Sequence, residues 1–344
     1  AQYSADVKAM LARFVYGEMR SDWIAGGIIL AVGAGLLWMW RRGTLRPHWA
    51  LMVLAAVVTF DLWRVGYRPM EIAKGDAVAR TFQRYDYVDF LRRDTSVYRI
   101  ADFGALPVPN ASAYYGLENI HGYHSAKMRV YQDLMDEAGN GGGSVIANPF
   151  LWNLLGVKYI LADRPMLQSE PVFRSASGAI VYANPAALPR AFFVRHVVRA
   201  RDVDILEHLR KGDFNPRDTV FVEKEIAEAV APPDSGGAAE LVERSFHHQR
   251  YRVRATGTNI LFISEIYYPV SWKALIDGAE VPVYKANFAF RAVVIPPGEH
   301  TLEFRFISPA FERGKSISMA STVLVLLLGA GTLWQAWRQR GNRR

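Results

Sequence analysis

The sequence predicts an α+β membrane protein, with three transmembrane helices and a large extracytoplasmic domain that ends in a small antiparallel β-sandwich. Three observations carry this reading. Three apolar stretches, at 23–40, 49–65 and 316–337, have the length and character of bilayer spans. Arginine collects beside them in a pattern that gives one consistent orientation. Between 240 and 315 the chain runs through short, alternating or β-branched segments separated by turn residues.

Composition bounds the answer. The 344 residues are 51% hydrophobic and 22% charged, ample for a packed core and unlike a disordered chain. No cysteine is present, which excludes disulfides, thiolate metal sites, iron–sulfur ligation and a cysteine nucleophile. The net charge of +8 invites a nucleic-acid reading until the charges are located. Arg41, Arg42 and Arg46 sit between the first two apolar stretches, and Arg338, Arg340, Arg343 and Arg344 follow the third. Subtracting these seven leaves 34 basic against 33 acidic residues, so the excess marks membrane flanks and no nucleic-acid partner is expected.

In chain order, residues 1–22 form an outer N-terminal segment; AQYSADVKAM does not read as a signal peptide. The first span, 23–40, has no charge and a tryptophan at each end, as at an interfacial belt, with internal glycines that permit close helix packing. A cytoplasmic loop, 41–48, leads to the second span, 49–65, where Asp61 and Arg64 have the spacing of an i,i+3 ion pair. Residues 66–230 form an extracytoplasmic α+β domain. Its periodicity predicts an amphipathic helix over 76–94 with Asp76 as N-cap, and helices over 127–138 and 203–211. Strands are expected at 97–103, 157–161 and 191–198, and Gly139 to Ser144 reads as a flexible loop without the lysine of a phosphate-binding loop. Residues 231–239 (APPDSGGAA) are a linker by composition. A β-sandwich over 240–315 follows, with turns at Asp277-Gly278 and Pro296-Pro297-Gly298. The third span, 316–337, ends in a cytoplasmic tail, 338–344. Short arginine-rich loops stay cytoplasmic, so the domain faces the periplasm or exterior of a bacterial inner membrane.

Two groups of residues invite a functional reading. Tyr115, Glu118, His121, Tyr123 and His124 crowd a Gly- and Tyr-rich segment that suits a partner- or substrate-facing loop; Gly122 argues against the helical face that a His-x-x-His metal site needs, and no metal is expected. Glu265, Trp272, Asp277 and Arg291 would suit a sugar surface, an aromatic face beside carboxylates. Their structural alternative is a turn aspartate, a rim tryptophan and a strand-end ion pair. No cofactor is expected, because no histidine lies within the three stretches to ligate a haem or chlorophyll.

The segment from Ser264 to Phe306 resembles the C-terminal signature of the YfhO family of bacterial membrane proteins. The resemblance rests on Glu265, Tyr268-Pro269, Trp272-Lys273-Ala274, Asp277-Gly278, Ala286-Asn287, Arg291, Pro297-Gly298 and His300, with further blocks at Gly116 to Tyr123 (GLENIHGY), Asn153 to Leu161 and Leu188 to Ala191. It implies kinship with polytopic glycosyltransferases that use lipid-linked sugars, whose catalytic acidic residue lies in a first outer loop that this sequence does not contain. The expected function is therefore that of a non-catalytic accessory or scaffolding subunit with no catalytic residues. Its partners would be the lipid bilayer and other membrane subunits, of a respiratory or photosynthetic assembly for example. The alternative is the acceptor-binding part of a YfhO-like transferase, with a glycan or lipid-linked sugar as ligand.

Overall fold

The computed structural model describes residues 5–67, 75–143, 145–234 and 236–341, so parts of the predicted N-terminal segment, of the loops containing Ser144 and Ser235 and of the C-terminal tail lie outside the described residues. The chain divides into two compact units at Ala77/Val78.

In the first unit, α1 (Ala5–Arg41) and α2 (Pro47–Tyr67) form a helical hairpin. Residues 5–22, expected as a separate segment, continue α1, since no proline interrupts the run from 5 to 41. Gly43 adopts φ 74 and donates its N–H to the Trp40 carbonyl, closing α1, and Pro47 opens α2 where its missing N–H is harmless. At the far end of the hairpin Arg64 pairs with Asp61 at 3.1 Å, as the spacing predicts, and also with Asp22 of α1 at 2.8 Å. Residues 15–41, 48–67 and 309–332 are long and apolar enough to cross a membrane, and their apolar windows are not buried within the protein.

The second unit is layered. It begins with α3 (Ala77–Thr81) and α4 (Asp86–Arg92). A single helix over 76–94 was the expectation; the chain breaks at 82–85 because Phe82 and Tyr85 turn onto Tyr115, with ring centroids 6.4 and 6.1 Å away. Next come β1 (Arg99–Phe103), α5 (Ala111–Tyr114), α6 (Arg129–Ala138), α7 (Pro149–Leu154), β2 (Val157–Ala162), β3 (Phe173–Arg174) and β4 (Ile180–Ala183). They build a four-stranded sheet of order β1-β2-β4-β3, in which β1 and β2 are parallel across the helical connection. Tyr87, Leu91 and Tyr115 cover one face against Ile100, Leu161 and Val181. The other face enters the main core with Leu134, Leu151 and Trp152.

The remaining strands are β5 (Ala191–Val194), β6 (His196–Arg199), then, after α8 (Asp202–Lys211), β7 (Thr219–Val222), β8 (Ala238–Arg244), β9 (His248–Ala255), β10 (Asn259–Ile266), β11 (Trp272–Ile276), β12 (Ala279–Val281), β13 (Tyr284–Ala286), β14 (Phe290–Ile295) and β15 (Gly298–Phe306). Two sheets result, one of order β5-β10-β14-β13-β7-β6 and one of order β12-β11-β15-β9-β8. Only Arg195 separates β5 from β6, yet they sit at opposite ends of the six-stranded order, so that sheet curls back on itself. The expected single strand 191–198 is thus bent, and β12 and β13, separated by two residues, belong to different sheets.

The sandwich packs Leu261, Ile263, Val293 and Ile295 of one sheet against Tyr251, Val253, Leu302 and Phe304 of the other. The opposite face of the six-stranded sheet presents Ile260, Phe262, Phe290 and Ala292 to the main core. Burial on both faces is why β10 and β14 read as largely apolar runs, broken at Ser264-Glu265 and at Arg291, whereas β9, with one wet face, alternates. The sandwich therefore draws strands from both sides of 231–239, not from 240–315 alone. The expected linker is pinned: Ala231 N–H donates to the Thr258 carbonyl and Asp234 N–H to Thr256 Oγ1. The final helix, α9 (Pro309–Gly341), follows β15 after two residues.

Candidate functional site

An ionic cluster forms where the three sheets of the second unit converge. Arg99 opens β1, Arg190 precedes β5, Ser264 and Glu265 lie in β10, Arg244 ends β8, and Glu118 follows α5. Its placement depends on an irregularity in β10, where pairing with β14 shifts register between Ile263 and Ile266. A bulge frees residues from the ladder and re-aims them, and here it turns Ser264 and Glu265 toward Arg99 and Arg190. Arg190 Nη1 lies 2.8 Å from Glu265 Oε1, and its Nη2 lies 3.0 Å from Glu118 Oε2. Arg99 reaches Glu265 at 3.2 Å and donates to the carbonyls of Leu155 at 2.8 Å and Ser264 at 2.7 Å. Arg244 completes the set by pairing with Glu118 Oε1.

Burial and charge compete here. Burial pulls the Arg99 guanidinium down to about 10, although Glu265 opposes the shift. Burial alone would raise the Glu265 carboxyl, but the guanidiniums of Arg99, Arg190, Arg291 and Arg244 outweigh it and hold the carboxyl below its ordinary value. Glu265 is therefore an anion committed to arginine.

Arg291 occupies the start of β14 at 3% exposure, donating Nε–H to the Ile266 carbonyl at 2.9 Å. Its guanidinium lies 4.6 Å from the Trp272 ring and 5.2 Å from that of Phe304, and burial lowers it to about 10. The Trp272 face expected to meet a sugar is covered by this cation. Asp277 sits at the opposite end of β11, in a two-residue turn with Gly278, both at positive φ, and pairs with His300 at 2.6 Å. Glu265, Trp272, Asp277 and Arg291 thus do not form one surface; Asp277 is a turn residue, the structural alternative for that position.

The first group of residues also separates. Tyr115 is buried, its hydroxyl donating to the Gln83 carbonyl at 3.1 Å. His121 is largely enclosed: Nε2 accepts the Ile146 N–H at 2.9 Å and Nδ1 donates to the Asp102 carbonyl at 2.8 Å, the neutral tautomer. Burial holds its pKa below the ordinary imidazole value. Tyr123 and His124 are exposed. Asn110 clamps the loop by accepting the Tyr123 N–H at 2.9 Å and donating to its carbonyl at 2.6 Å. Among the described residues no group of three His, Asp or Glu has metal-binding proximity.

His121, Tyr123 and His124 nonetheless line one cleft of about 590 Å³, with Asn110, Lys127 and Tyr131. Arg99 and Ile266 reach the same cleft, so it abuts the ionic cluster. Its described lining contains cationic, amide, aromatic and aliphatic groups and no carboxylate. Reading residue types could not single out Arg99 or Arg244 beforehand. One signal was present: Glu265 interrupts the apolar run NILFISEI, and a carboxylate in a buried strand requires a cation from elsewhere in the fold.

Comparison of the chain with protein families, with curated proteins and with solved structures finds no match.

Proposed function

We propose that this protein is a membrane-anchored, non-catalytic accessory subunit whose second unit binds a partner on the face that carries the cleft. One observation supports the reading above others. Glu118 and Glu265, sequence neighbours of the cleft residues Asn119 and Ile266, are bound to arginines, while the cleft itself offers Lys127, His121, His124, Tyr123 and amides, groups suited to recognition. Acid–base catalysis needs a titratable group with a proton to exchange with the substrate; Glu265 is bound to arginines and held low, and both ring nitrogens of His121 are engaged by the Asp102 carbonyl and the Ile146 N–H. Arginine 4.1 Å over tryptophan at Arg42/Trp38 and Arg338/Trp334 suits basic flanks of bilayer spans. With those flanks cytoplasmic, the sheets of the second unit lie outside a bacterial inner membrane. Purification in mild detergent should recover stoichiometric membrane partners, and recovery as a lone monomer would count against a subunit role.

The second reading is the acceptor-binding part of a YfhO-like glycosyltransferase. It draws on the sequence resemblance and on a cleft large enough for a sugar. A native polypeptide more than twice the size of this chain by intact mass, together with loss of glycan transfer on Tyr123→Ala in the cleft, would favour it.

A further inference from the structure

The second unit carries an apolar cluster that belongs to none of its cores. Phe246 is 94% exposed, Val270 69% and Phe311 67%, with Tyr268 and Ile307 also exposed. Phe246 lies at the tip of the β8–β9 hairpin, where the Ser245 N–H donates to the His248 carbonyl and turn chemistry would favour Gly, Asn or Asp. Tyr268 and Val270 lie in the β10–β11 connection. The two loops are bound side by side to the end of β15: Phe306 N–H donates to the His247 carbonyl at 2.9 Å, and Ile307 N–H to the Ser271 carbonyl at 2.7 Å. Beneath them Trp272 and Phe306 pack edge to face at 5.4 Å. α9 then begins at Pro309, two residues after Ile307, with Phe311 in its first turn.

We infer that this end of the sandwich is a membrane foot, seated at the headgroup–acyl boundary of the same bilayer that α9 crosses. The inference rests on α9 being a membrane span. Its apolar stretch, residues 309–332, would extend about 36 Å at 1.5 Å per residue, against a hydrocarbon core of about 30 Å. The first turn of α9 therefore lies at the interface, and β15 delivers both loops to that level. Water penalises a fully exposed phenylalanine at a turn tip; the interface accepts it, as it accepts the phenol of Tyr268. Arg313 and Lys315, just beyond Phe311 in α9, have side chains long enough to snorkel back to the headgroup phosphates. The foot would fix the tilt of the sandwich over the bilayer and leave the cleft near Arg99 for a partner.

The absence of cysteine makes the test direct. Phe246→Cys, Val270→Cys, Leu326→Cys in the middle of α9, and Val203→Cys on α8 are each labelled with an environment-sensitive fluorophore. The full chain is then reconstituted in phosphatidylcholine–phosphatidylglycerol vesicles. The expected result is blue-shifted emission at 246 and 270, quenched by shallow spin-labelled lipid and severalfold less by aqueous iodide than at 203. Iodide quenching at 246 and 270 equal to that at 203 overturns the foot, provided 326 is quenched by deep spin-labelled lipid. Shielding from both quenchers also overturns it, in favour of a protein partner. If 326 escapes lipid quenching, the span itself fails, an outcome distinct from failure of the foot.

Discussion

Glu265 shows how one side chain can organise a fold. Truncating Glu265 to alanine leaves Arg99 and Arg190 buried with half their countercharge, and uncompensated buried charge costs about 3–5 kcal/mol. The expected outcome is a marked fall in unfolding temperature in detergent, with Glu265→Gln losing less because the amide oxygen still accepts. His121 carries a pH dependence of definite sign. Its folded pKa lies below the ordinary value of 6.5, so its contribution is complete above that value and is lost as pH falls through the depressed one. Imidazole titration by NMR should place His121 below 6.5 and His300, which gains Asp277, above it. The His300 contribution runs the other way, present below 6.5 and lost as pH rises through its raised value. Asp277→Asn should return His300 toward the ordinary value while keeping the turn, since asparagine tolerates the left-handed backbone.

Elements were legible where local physics decides them. Asp277-Gly278 sits between β11 and β12 at φ 48 and φ 87, the two-residue turn that Asp-Gly predicts. Gly278→Ala meets no neighbour within 4 Å, so its cost is backbone strain alone, about 1 kcal/mol, and a thermal melt should show a shift of a few degrees. Helix α8 likewise follows its amphipathic pattern, from Asp202 to a left-handed Gly212. Elements were misjudged where packing overrode pattern. The periodicity over 76–94 is genuine, yet burial of Phe82 and Tyr85 against Tyr115 was worth more than the helical bonds between α3 and α4. The β10 bulge was invisible, because Ser264-Glu265 is a register event set by two neighbouring strands.

At the scale of the molecule, charge arithmetic predicts an orientation, and the absence of cysteine allows that prediction to be measured. A cysteine placed at Thr44 should react with a membrane-impermeant maleimide only in inverted vesicles, and one at Val203 only in intact spheroplasts. The reverse pattern would invert the topology. Composition, hydropathy and turn chemistry by themselves determined three membrane-length helices and a β-rich C-terminal half, because these properties belong to contiguous residues. Only the tertiary structure decided that β5 to β7 and β8 to β15 form one sandwich, and that Arg99, Glu118, Arg190, Arg244 and Glu265 meet. It also decided that the suggested sugar surface is divided between an arginine-capped tryptophan and a distant turn. The reason is separation along the chain. A charge pair spanning more than seventy residues leaves no periodic trace, and its partner is chosen by where the sheets come together.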